Sequence, residues 1–152
     1  MRLMNSRRNM RGVSLIEVLV SVVIVAIGLL GIAAMQSMAL RGGQSSLESS
    51  QAMMQTQSIL ESMRANRANV AAYVTGGKLC DPDEADAANA LAEDDLANWI
   101  ASLKDTMGTE NDVTTCGQIA VDAVGNWTVT VQWDDARGGG SEARQVVTET
   151  RI

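Results

Sequence analysis

The chain has 152 residues, enough for one small domain with an added extended element. A formal net charge of -6 argues against a duplex-binding surface, and the lack of any histidine removes the commonest general base and metal ligand. Hydrophobic residues make up 46% of the chain, but aromatics only 3%, with no phenylalanine; this apolar content is concentrated near the N-terminus, so the remainder must have a thin core.

In chain order, residues 2–11 carry Arg2, Arg7, Arg8 and Arg11 and no acid, followed by Gly12-Val13-Ser14-Leu15-Ile16-Glu17. From Val18 to Leu40 there is no charged residue, a run of 23. As a helix that run is about 35 Å long, enough to cross a bilayer core of ~30 Å. The basic flank would keep the N-terminus in the cytoplasm and put the rest on the other side. A secretory signal removed after its apolar core would have a shorter core, and its only small-x-small site, Ala26-Ile27-Gly28, lies mid-run. A plain signal anchor explains the length and the arginines but not Glu17, because a carboxylate at the head of such a run is costly unless paired or interfacial.

A third reading does account for Glu17. The stretch Gly12-Val13-Ser14-Leu15-Ile16-Glu17-Val18-Leu19 resembles the prepilin signature of type IV pilins and type II secretion pseudopilins. The resemblance, over roughly residues 7–45, implies cleavage by a prepilin peptidase between Gly12 and Val13, retention of the helix and N-methylation of Val13. Two positions depart from it: Val13 stands where phenylalanine is usual, and the helix lacks the proline of many major pilins. The run Ile24–Gly31, the Trp99 helix and the Trp127 strand look further like the minor pilins called type IV pilus modification protein V. In a staggered stack of helices, Glu17 of one subunit could meet the Val13 amine of a neighbour; paired in apolar surroundings, the two charges would select one stagger. The alternative is a solvated charge at the membrane interface.

Beyond the membrane, Met38, Gly42, Ser45, Ser49, Ala52, Thr56, Ile59 and Met63 recur every three or four residues, and Met53 and Leu60 widen the stripe. One helix is therefore expected from about Val13 to about Ala68. Gly28, Gly31, Gly42 and Gly43 are its weak points; Gly28 and Gly31 read as sites of close helix approach. The methionines from Met53 to Met63 read as core. Tyr73, Gly76 and Gly77 mark a loop.

Asp81-Pro82-Asp83-Glu84 reads as a capped helix start, with Ala92, Leu96, Trp99, Leu103 and Met107 on one face and Gly108 at the end. Ala85 and Asp86 stand where a calcium loop needs a ligand and a glycine. From Cys116 the period becomes two: Ile119, Val121 and Ala123 on one side, a turn at Gly125-Asn126, then Trp127, Val129, Val131 and Trp133. Asp134 to Ser141 reads as a flexible loop, and Arg144 to Ile152 as a last strand. The tryptophans share a face, expected to pack on the long helix. Cys80 and Cys116 both follow the apolar segment, and such a pair in a small exported domain reads as a disulfide; the alternative is two buried thiols.

The expected fold is α+β: a long N-terminal helix, a second helix and a three-stranded antiparallel sheet. The expected division is a cleaved leader (1–12), a membrane or filament-core helix (13–40) and a periplasmic head (41–152). With no nucleophile elbow, phosphate loop or zinc spacing, the chain is expected not to be an enzyme and to need no cofactor or metal. The resemblance implies a minor pilin that primes assembly near the pilus tip. Its partners would be the prepilin peptidase, other minor pilins, a tip adhesin, the major pilin and the inner membrane, with no nucleic acid. The alternatives are a minor pseudopilin of type II secretion and a membrane-tethered binding module on a pilin-like anchor.

Overall fold

The structure, a computed structural model, describes Gly12 and residues 14–152. Two compact units divide the chain, the first ending at Ala39 and the second running Leu40–Ile152. In the first, helix α1 (Leu15–Ala65) opens on the Ser14 carbonyl, which accepts from the Glu17 and Val18 amides at 3.0 and 3.2 Å. The helix continues through Gly28, Gly31, Gly42 and Gly43, and among the described residues nothing beyond the helix's own backbone lies within 4 Å of where a Cβ would stand at any of them. Ser21, a polar residue in the apolar run, donates to the Val18 carbonyl at 2.8 Å.

In the second unit α1 buries Glu48, Ala52, Thr56, Ile59, Leu60 and Met63. The expected stripe holds from Ser45 onward but is corrected at two points. Met38, Gly42, Met53 and Met54 are exposed, so of the methionine-rich stretch only Met63 is core. Glu48, absent from the expected stripe, is buried. The helix also stops at Ala65 rather than near Ala68. Asn66 leaves helical geometry (φ -103°, ψ 38°) because its amide is held by tertiary contacts, donating to Asn89 Oδ1 at 3.0 Å and Tyr73 Oη at 3.4 Å. A 3₁₀ segment, Arg67–Tyr73, follows.

The second helix, α2 (Ala90–Met107), does not begin at Asp81. Asp81 caps only a 3₁₀ turn, Pro82–Glu84, by accepting from the Asp83 amide at 3.0 Å, and the chain is extended again at Ala85. Asn89 is the true cap, its Oδ1 accepting from the Ala92 amide at 3.1 Å. Ala92, Leu96, Trp99, Leu103 and Met107 are buried along one face as expected, and burying each of the larger ones stabilises by about 1.5–3 kcal/mol.

Strands β1 (Cys116–Val121), β2 (Trp127–Trp133) and β3 (Arg144–Thr150) form an antiparallel meander in the order β1-β2-β3. Strand β1 ends before Ala123, because the Asp122 carboxylate takes the Val124 and Asn126 amides at 2.9 and 2.8 Å and closes the turn, with Gly125 at φ 85°. Trp127, Val129, Val131 and Trp133 are all buried on the inner face. Helix α2 lies on β1 at Gly117, where a Cβ would collide with the Trp99 ring and with Ile100 Cδ1.

Candidate functional site

Gly12 is exposed, and apart from its chain neighbours no described residue lies within 4 Å of where its Cβ would stand, while Val13 and the leader arginines lie outside the described residues. Glu17 is exposed in the first turn of α1, where a carboxylate complements the helix dipole. The residues after it expose large apolar side chains on all sides; Leu15, Leu19, Ile24, Ile27 and Leu30 are each more than three-fifths exposed. This helix is long and apolar enough to cross a membrane. An apolar surface of that extent calls for lipid or for other helices around it.

The structure joins Cys80 to Cys116, with Cα atoms 4.2 Å apart. The bond is flanked by a bridge in which Leu79 and Gly117 exchange backbone hydrogen bonds of 2.8 and 2.9 Å. It therefore ties the segment before α2 to the free edge of β1. Asp112 organises the approach to Cys116, accepting from the amides of Thr109 (2.7 Å), Thr114 (2.8 Å) and Thr115 (2.6 Å). Burial alone would raise its pKa, but these bonds and the Thr114 hydroxyl outweigh burial and hold the carboxyl at about 2.

Two polar clusters escape sequence reasoning. Tyr73 is fully buried and donates to Asp95 Oδ2 at 2.5 Å; burial first, and that carboxylate second, push its pKa to about 12. The second cluster underlies the loop between β2 and β3. Asp135 is 0% exposed and accepts from Ser45 Oγ at 2.7 Å and Arg144 Nη1 at 2.6 Å. Trp133 Nε1 donates to Glu48 Oε2 at 3.0 Å, and the Arg144 guanidinium lies 5.9 Å from the Trp133 ring centre. Arg144 also donates to Ser45 Oγ. Gly138 and Gly140 pack so closely on the Asp135 carboxylate that a Cβ at either would strike it, and Gly139 needs its positive φ of 83°. The loop expected to be flexible is thus wrapped around a buried acid. The one signal for this in the sequence was an acid, Glu48, standing on the apolar face of α1.

A long apolar N-terminal helix, a second helix and a three-stranded antiparallel sheet make an α+β pilin-like fold. Residues 7–33 match the family model of the prokaryotic N-terminal methylation motif, which indicates a type IV pilin-like or pseudopilin protein. No curated protein and no solved structure was found to match the chain.

Proposed function

We propose that this chain is a minor pilin of a type IV pilus, acting by assembly rather than catalysis. The observation that carries the reading is the methylation motif at residues 7–33, which runs directly into an exposed apolar helix with one carboxylate, Glu17, in its first turn. Cleavage after Gly12 frees a cationic amine on Val13. In the filament Glu17 pairs with that amine, on its own subunit or a neighbour, and so selects the stagger. The departures at Val13 and the missing helix proline favour a minor over a major subunit. A minor pilin would prime assembly near the tip with other minor pilins and an adhesin, its head periplasmic before assembly and extracellular after it.

The test is Glu17→Ala in cells, with sheared pili and membranes immunoblotted separately and the mature chain weighed by mass spectrometry. The variant stays in the membrane, since losing a charge makes the segment more apolar, and begins at Val13. It falls in sheared pili by about tenfold or more, the equivalent of roughly 1.4 kcal/mol at one contact. Wild-type levels in pili would remove Glu17 from assembly, and absence of the unaltered chain from sheared pili would favour a tethered module. An uncut N-terminus would sink the prepilin reading altogether.

A further inference from the structure

Two buried carboxyl groups, Glu48 on α1 and Asp135 in the β2–β3 loop, are brought side by side: Ser45, three residues before Glu48, donates to Asp135, and Trp133, two residues before Asp135, donates to Glu48. Glu48 is 6% exposed and Asp135 0%. The donors around them are unevenly shared. Asp135 Oδ2 takes both Ser45 and Arg144, whereas Oδ1 is, among the described residues, a buried oxygen with no donor. Glu48 Oε2 takes the Trp133 indole, leaving its other oxygen free to carry a proton.

The charged groups facing the pair are few. Arg144, from β3, makes its ion pair with Asp135. Arg137, from the loop, acts on Glu48 only at longer range and donates to the Met107 carbonyl at the end of α2 at 3.4 Å. Two ionised carboxylates would therefore share one close cation in a buried site, while a single proton between them satisfies Oδ1 and halves the charge.

We propose that Glu48 is held protonated and donates to Asp135 Oδ1, making a proton-dependent clasp that fastens the β2–β3 loop to α1. Losing that proton sets two like charges against each other and releases the loop.

The pKa directions agree. Burial above all, and the negative charge of Asp135 with it, raise Glu48 above 4.5, although the indole and Arg137 oppose them. Asp135 lies below 3.8: its own burial would raise it, but Ser45, Arg144 and Glu48 outweigh that. The signs follow. Glu48 contributes fully below its ordinary value, and its contribution is lost as pH rises through the raised one. Asp135 contributes above its ordinary value and loses this as pH falls through the lowered one. The clasp is therefore complete from below pH 3.8 to above pH 4.5 and opens on the alkaline side.

The experiment uses the full chain in detergent micelles. A ¹³C NMR titration of side-chain carboxyls should show Glu48 still protonated where the exposed glutamates have ionised. Hydrogen exchange should then show the amides of Asp135, Gly138 and Gly140, all bonded within the loop, losing protection by up to about tenfold per pH unit above the Glu48 midpoint, as one-proton linkage requires. Glu48→Gln supplies a permanent donor to Oδ1 and an acceptor for the indole, so its protection profile should be flat. Glu48 titrating with the exposed glutamates would overturn the clasp, as would a Gln variant whose pH profile matches wild type. If the Gln variant fails to fold, the wild-type titration decides alone.

Discussion

Cutting the Cys80–Cys116 bond tests how far the thin core of the head depends on a covalent tie. The cysteines are 36 residues apart. The loop-entropy relation then gives roughly 13 cal/mol/K of denatured-chain entropy removed, or ~4 kcal/mol at 25 °C. Compactness of the unfolded chain lowers the expected loss to about 2–4 kcal/mol. The native state should change little, because the Leu79–Gly117 bridge holds the same two segments together without the sulfurs. The perturbation is Cys80→Ala with Cys116→Ala, and the assay is urea unfolding of the full chain in detergent followed by tryptophan fluorescence. Trp99, Trp127 and Trp133 are all buried in the Leu40–Ile152 unit, so the signal reports that unit and not the apolar helix. At about 1–3 kcal/mol per M the midpoint should fall by roughly 0.7–4 M, while the slope rises as the unfolded chain opens. Coincident midpoints would refute the reasoning, and a lost near-ultraviolet dichroism before any urea is added would show that the bond shapes the native state instead.

Tyr73 is the single tyrosine, so its ionisation can be followed by tyrosinate absorbance without overlap. Its folded pKa of about 12 lies above the ordinary 10.0, so its contribution is present below pH 10 and lost as pH rises towards 12; a midpoint near 10, with tryptophan fluorescence still native, contradicts the burial and the Asp95 contact. Gly117→Ala should cost about 1–3 kcal/mol in the same urea assay, because its methyl group meets the Trp99 ring and Ile100. Gly42→Ala, at an exposed helix position where a Cβ meets no other described residue, should be neutral or stabilising by up to about 1 kcal/mol. Equal stabilities for the two would mean that α2 does not press on β1 at Gly117.

Much of this fold could be read from local pattern. The uncharged run from Val18 to Leu40 and the period-two runs from Cys116 and Trp127 each state their own geometry, because a helix or strand buries one side and the spacing of apolar residues records which. The basic leader, Gly12 and Glu17 form a contiguous motif, legible without any fold. Other features needed the folded chain. Asp81-Pro82-Asp83-Glu84 and Asn89 both have the chemistry of a helix cap; Asn89 prevails because Asn66, from the end of α1, holds its side chain in place. The same contact ends α1 early. Three glycines near residue 139 suggested freedom, but two of them make room for a buried carboxylate whose partners, Ser45 and Arg144, stand 90 residues before it and nine after. A buried acid is tolerated only where donors from distant segments converge, and no window of sequence contains all of them. Local pattern thus determined the elements and the N-terminal motif, and tertiary structure alone decided which polar groups could be buried and where the helices end.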